Sequence, residues 1–303
     1  MKVYIFADQE GVAGVFSRRE HYLFAQEYAT IELAAICEAL LGKGVDEIVL
    51  NTIHVVDYEK LPAKVRIIHG LPARDFISRG LDSSFDASFI VGMHEMAGSK
   101  EKGCWRHTIL PHPITFAYSS VEAAWLNNQP IGELGLFAVF AGIHDVPVTL
   151  VTGDHWACVE GEELIPGVET VAVKKGMSYF SAISMTPQAA AEASAAAALR
   201  SLGKIGEIKP VKMEGPATLK VRYQFAQRAT DATATVKNTI RIDERTVAVT
   251  YPTIEELHAN FGTMRAPEHR LYRQDIGLEQ TTGLFTRYGP EPYEHTMTVP
   301  KNE

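Results

Sequence analysis

Lys2-Val3-Tyr4-Ile5-Phe6-Ala7-Asp8-Gln9-Glu10-Gly11 decides how this chain is read. A β-rich run stops abruptly on two carboxylates and a glycine. A short apolar run without polar alternation fits a strand buried on both faces, as in a parallel sheet. Working outward, residues 47–51, 87–91 and 146–151 are further runs of this kind. Between the first two, 30–41 has the apolar spacing of a helix and stops at Gly42 and Gly44. Alternating strands and helices predict an α/β fold with a mostly parallel sheet flanked by helices.

The pattern changes further along. Residues 116–126 read as an apolar hairpin arm turning at Asn127-Asn128, and 132–141 as a short apolar helix. The clearest helix is 185–202, with Thr186 as cap, Pro187 in the first turn, an alanine-rich interior and Gly203 as stop. Past it, Leu219, Val221, Tyr223 and Phe225 alternate like a half-exposed antiparallel strand, and 245–251 reads similarly. Residues 254–261 predict a short helix capped by Thr253. The expected organisation is a metal-binding α/β domain over 1–185, a smaller α+β part over 186–264, and an extended tail over 265–303.

Bulk properties exclude several classes. A net charge of −8 and no basic run longer than Lys174-Lys175 argue against nucleic acid and against an anionic membrane. No run of about 18 apolar residues predicts a membrane span. Three cysteines without CxxC spacing fit a reducing compartment and no disulfide framework, so the cytoplasm is the expected address.

In open parallel sheets, ligands bind beyond the carboxyl ends of the strands. The predicted strands end on Asp8 and Glu10, on His54, on His94, and on Asp154 followed by His155. With 37 Asp and Glu and 11 His in 303 residues, one such residue at every strand end by chance is on the order of 0.1%, rising to a few per cent with positional slack. Any one of them alone reads better as a cap or a solvated loop residue; as a set they point to a metal. Imidazole with carboxylate suits zinc, with manganese and cobalt open. A carboxylate such as Asp8 can bridge two ions that activate a shared hydroxide.

The stretches VYIFADQEGVAGV, LNTIHVVD, FIVGMHEMAG, RHTI, PIGELGLFAVFAGIHDVPVTLVTGD and EELIPGVETVAVKKG together resemble the M55 D-aminopeptidases, the DppA-like zinc metallopeptidases, over roughly residues 1–260. The resemblance implies a binuclear zinc aminopeptidase that removes amino-terminal D-residues of the D-alanine class from short peptides. It implies two Zn²⁺ ions per chain on Asp8, Glu10, His54, His94 and Glu133, with His107 as the catalytic histidine. It also implies ring-like homo-oligomers, a decamer among the expected sizes. Two departures stand out: a longer loop between His94 and His107, and Thr52 where the family tends to carry an acid two positions before the ligand histidine.

Competing readings remain from the residues themselves. Asp154 is a candidate partner for the substrate's amino group, with helix capping as the alternative. His107 can act as acid, oxyanion donor or nucleophile. Cys104 beside His107 invites a thiol nucleophile, against the better expectation of an inert thiol. The function classes kept beside the D-aminopeptidase are a related two-metal amidohydrolase on L-peptides or modified amino acids, and a non-catalytic metal-binding scaffold. His269 and His295 in the tail are assigned no role.

Overall fold

The computed structural model describes residues 1–52, 54–69, 77–99, 106–108 and 121–261. The expectations placed on Cys104, on the residues after 99 in the lengthened loop, on 116–120 and on the tail from 265 lie outside the described residues.

Seven strands form the first sheet: β1 (Lys2–Ala7), β2 (Glu47–Thr52), β3 (Val65–His69), β4 (Ala87–Met93), β7 (Val148–Asp154), β8 (Glu169–Ser178) and β9 (Ser181–Ser184), in the order β3-β2-β1-β4-β7-β8-β9. Every neighbouring pair is parallel except the terminal hairpin β8–β9. The chain lays down β1, β2 and β3 in one direction and then returns to β4 on the other side of β1. The switch point of the sheet is therefore the carboxyl end of β1, where Asp8 and Glu10 stand.

Alternate residues of β1 serve two different cores. Val3, Ile5 and Ala7 pack with Leu33, Ile36 and Leu40 of α1 (Arg18–Gly42) and with Ala197 and Ala198 of α4 (Pro187–Leu202). Tyr4 and Phe6 face the opposite way. They stack on Phe137 of α2 (Glu133–Ile143) at centroid distances of 5.9 and 5.2 Å. A strand covered on both faces has no solvent side, which is why its sequence lacks polar alternation.

The second sheet is antiparallel: β5 (Val121–Leu126), β6 (Gln129–Pro130), β10 (Ala217–Tyr223), β11 (Ile240–Arg241) and β12 (Thr246–Tyr251), ordered β11-β12-β10-β5-β6. Asn127 and Asn128, at φ 48° and 67°, make the tight β5–β6 turn that their residue type favours. The inward residues Leu219, Val221, Val247 and Val249 join the same core as Tyr4, Phe6 and α2. The helices α3 (His155–Leu164), α5 (Ala226–Thr235) and α6 (Ile254–Asn260) complete the body.

The break expected near residue 185 does not separate two bodies. Met1–Thr263 is one compact unit. The helix α4 packs on α1, and β10 pairs with β5 from well before the expected boundary. The change in sequence periodicity marks a switch from a doubly covered sheet to a singly covered one. It does not mark a linker.

Several expectations also fall short at element ends. The helix expected over 30–41 begins twelve residues earlier, at Arg18, under a Ser17 cap whose hydroxyl accepts from the Arg19 amide at 3.2 Å. Thr186 and Thr253 cap α4 and α6 as expected. Among the described residues, no helix is long and apolar enough to cross a membrane.

Candidate metal centre

Backbone geometry brings three strand ends together. β1 lies between β2 and β4 in parallel register, with Phe6 opposite Asn51 and Ala7 opposite Val91. The residues that follow each strand, Asp8-Gln9-Glu10, His54 and His94, thus emerge side by side. The strand ends approach so closely that side chains are excluded at two points. A Cβ on Gly11 would stand 1.9 Å from the Met93 carbonyl oxygen. One on Gly92, whose φ is +73°, would stand 2.3 Å from that of Asp8. The Gly11 amide instead donates to the Gly92 carbonyl at 2.8 Å. From β8, buried Lys174 donates its ammonium to the Glu10 and Val15 carbonyls and so pins the acidic loop from below.

Asp8 is the hinge of the site. Its Oδ1 is 2.9 Å from His54 Nε2 and its Oδ2 is 3.3 Å from His94 Nε2. On the first side, His54 Nε2 is also 3.2 Å from Glu10 Oε2, while His21 Nε2 stands 3.5 Å from Glu10 Oε1. On the second side, His94 Nε2 is 3.5 Å from Glu133 Oε1, and the rings of His94 and His107 stack at 3.9 Å and 16°. Two groups result, Glu10–His21–His54 and His94–His107–Glu133. Within each, the potential ligand atoms all lie within 4.8 Å of one another.

Glu133 reaches the site as the first residue of α2, behind the Gly132 cap, which has no side chain to offer the helix amides. The rest of that helix through Gly142 is buried, so Glu133 is the one charged group on an apolar rod. A carboxylate is favoured there by the positive end of the helix. His107 is held by its own amide, which donates to the Glu95 carbonyl at 3.3 Å. That same carbonyl accepts from His94 Nδ1 at 2.9 Å.

This last bond fixes the His94 tautomer. A carbonyl can only accept, so Nδ1 carries a proton, and Nε2 is the nitrogen turned toward Asp8 and Glu133, free to offer a lone pair once its own proton is displaced. His94 Nε2 and Asp8 Oδ2 are both buried and complete no hydrogen bond among the described residues. Leaving two such atoms unmatched is costly unless a cation sits between them. Imidazole nitrogen and carboxylate oxygen are also the donors that zinc takes. By both tests the residues fit a metal.

The electrostatics agree. Burial and the neighbouring Glu10 push the Asp8 carboxyl up to about 7, against the pull of His54 and His94. Burial works against a charged His94, yet Glu133, Asp8 and Glu10 outweigh it and bring the imidazole up to about 10. His54 is raised well above its ordinary value in the same way, chiefly by Glu10 once its burial is overcome. The imidazoles of His54 and His21, with hydrogen bonding to Asp8 and His54, hold Glu10 well below the carboxylate range despite its burial. The cluster therefore traps protons where an ion would otherwise balance its charge, so metal loading should release them. His21 goes the other way: burial, only partly offset by Glu10, lowers it to about 4. Nearby, burial with Glu95 and Glu133 around it lifts Glu160 to about 8, against the pull of His94.

Other expected residues have other positions. Asp154 caps α3: Oδ1 accepts from the Trp156 amide at 3.0 Å and Oδ2 from the Gly176 amide at 3.2 Å. It belongs to neither ligand group. Thr52 accepts from the His54 amide at 3.0 Å, so it shapes the turn that carries the imidazole. Cys37 and Cys158 are buried, and burial pushes the Cys37 thiol up to about 12 and that of Cys158 higher still. Neither is a nucleophile at neutral pH.

His21 and Lys174 are the residues of the candidate centre that neither strand-end reasoning nor the resemblance named. For His21 a signal existed. Ser17-Arg18-Arg19-Glu20 has the S-x-x-E form of a capping box, which starts a helix at 18 and sets residue 21 in its first turn. Lys174 was legible only as part of a basic pair, because a cation bound to carbonyls leaves no sequence pattern.

Comparison with known proteins places the chain. The profile of peptidase family M55, described as D-aminopeptidase, matches residues 1–263. The chain belongs to the M55 D-aminopeptidase family. The M55 chain is 29% identical over 233 residues to a D-aminopeptidase of Bacillus subtilis (strain 168), spanning 74% of this chain and 81% of that protein. Its fold matches a solved structure described as "Zn-dependent D-aminopeptidase DppA from Bacillus subtilis, a self-compartmentalizing protease". That match has a TM-score of 0.76 at 25% identity and covers 88% of this chain and 99% of the other. This M55 member is accordingly an aminopeptidase-type hydrolase on an α/β scaffold.

Proposed function

We propose that this M55 protein is a binuclear zinc aminopeptidase that cleaves amino-terminal D-residues, D-alanine above all, from short peptides. The observation that carries the reading is Asp8, with one carboxylate oxygen toward His54 and the other toward His94. Glu10 and His54 would hold one ion and His94 and Glu133 the other, with Asp8 shared between them. Bound zinc would supply Lewis-acid polarisation of the scissile carbonyl and a nucleophile at neutral pH.

The chain's own residues do the rest. His107 lies flat against His94 with its backbone tethered to Glu95, so its ring is held at the edge of the His94–Glu133 group. It holds and returns the proton that the leaving amine needs, the work of a general acid–base. Gly11 and Gly92 let the strands close up so that the carboxylates and imidazoles keep their spacing. Asp154 caps α3 and so holds the β7–α3 corner.

A relative described as self-compartmentalizing supports assembly into a closed homo-oligomer, a decamer being the size we favour. The exposed apolar side chains Met177, Phe180 and Ile183 on the β8–β9 hairpin suit subunit contact. Light scattering of the full-length protein reads this directly, a monomer being the contrary result.

The deciding experiment measures metal content and hydrolysis of D-Ala-p-nitroanilide and D-Ala-D-Ala against their L-forms, before and after chelation. Two zinc ions per chain with D-selective, chelator-sensitive turnover is the expected result. Preference for the L-forms would move the reading to the related amidohydrolase, and no bound metal would reduce it to a scaffold.

A further inference from the structure

We propose that His21 is a fourth protein ligand of the ion held by Asp8, Glu10 and His54. The proposal rests on the two-zinc reading above and adds to it a donor from α1.

Three observations converge. The first is distance. Donors about 2.0–2.1 Å from a tetrahedral zinc lie roughly 3.3–3.4 Å apart. His21 Nε2 and Glu10 Oε1 are 3.5 Å apart, and His54 Nε2 and Glu10 Oε2 are 3.2 Å apart. The second is orientation. The rings of His21 and His54 meet edge-on at 5.1 Å and 78°, so they do not stack, and their ligand atoms with that of Glu10 lie within 4.8 Å of one another.

The third is anchorage. The His21 amide donates to the Ser17 carbonyl at 3.1 Å in the capped first turn of α1. One and two turns further on, Ala25 and Ala29 pack against Val12 and Val15 in a small core of their own. Val12 lies two residues beyond Glu10. The segment that carries the carboxylate and the helix that carries the imidazole are thus one packed unit, which limits the drift between the two donors.

The consequence is an asymmetric centre. With Asp8, Glu10, His54 and His21, one ion would draw four donors from the protein, the number that structural zinc takes. The ion on the His94–Glu133 side would keep the open position that a catalytic metal needs.

The test uses full-length His21→Ala and His21→Gln, each also in a Glu133→Gln background so that the Glu10-side ion is observed alone. Folding of the metal-free variants is checked by circular dichroism, and His21→Gln stands in if the alanine variant does not fold. Cobalt loading, zinc X-ray absorption and release to a chromogenic chelator are then compared with wild type. The proposal expects the Glu10-side ion to leave at least about tenfold more readily, with altered cobalt ligand-field bands and one imidazole fewer at that metal. Unchanged release and spectra would overturn it while leaving two zinc ions in place. Faster release with an unchanged cobalt spectrum and imidazole count would also overturn it, since His21 would then only position a neighbour. Wild-type protein that binds no ion would instead overturn the two-zinc reading.

Discussion

The two halves of the candidate centre are built from the same residue types by opposite means. On the His94–Glu133 side, both side chains are almost fully buried, at 2% and 5% exposure, and both are held by the core: one ends a central strand and the other opens an apolar helix. On the Glu10–His54 side, His54 is 17% and His21 21% exposed, and they come from a short turn and the first turn of a helix. A site embedded in the core is set by packing that the whole fold enforces, so its geometry survives local change. A site at the rim depends on caps and turns, each contributing about 1 kcal/mol, and is the half that single substitutions can loosen.

Asp8→Asn should erase the distinction altogether, because both halves share that carboxylate. It is expected to lose both ions and to reduce turnover by more than about 100-fold, beyond what loss of an outer partner produces. Metal analysis showing two retained ions would remove Asp8 from the centre. Glu133→Gln should empty the buried half alone, leaving one zinc per chain; equal loss of both ions would mean that the halves are not separable.

His107→Gln sharpens the comparison from another direction. His107 lies in the ligand group of the buried half, yet the proposed role is proton transfer. The variant should keep both ions and lose about 10²- to 10⁴-fold in kcat, the usual range for a general acid–base. A variant that lost one ion would make His107 a ligand. The smallest effect belongs to Thr52→Ala. It removes one hydrogen bond to the turn of His54, worth about 1 kcal/mol, so the rim ion should weaken about fivefold and the buried ion not at all. A competition titration with a chelator of known affinity measures both constants.

The sequence by itself determined the parallel sheet, because β1 and its neighbours are buried on both faces and must be apolar throughout. It also placed Asp8, Glu10, His54 and His94 at strand ends, where ligands gather in such sheets. The resemblance to a family added Glu133 and His107, which no strand-end rule reaches. Only the tertiary structure decided the rest. Which strands are neighbours, and hence which ends meet, follows from a chain reversal at β1 that local periodicity does not encode. The boundary near 185 dissolved for the same reason, since β10 pairs with β5 across it, Leu219 opposite Leu126 and Val221 opposite Ala124. His21 entered the site because α1 starts twelve residues before its apolar stripe, under a cap whose signal is local but whose consequence is not. The sharing of Asp8 between two imidazoles is likewise a matter of register: it exists because β1 lies between β2 and β4, and no property of Asp8 alone could announce it.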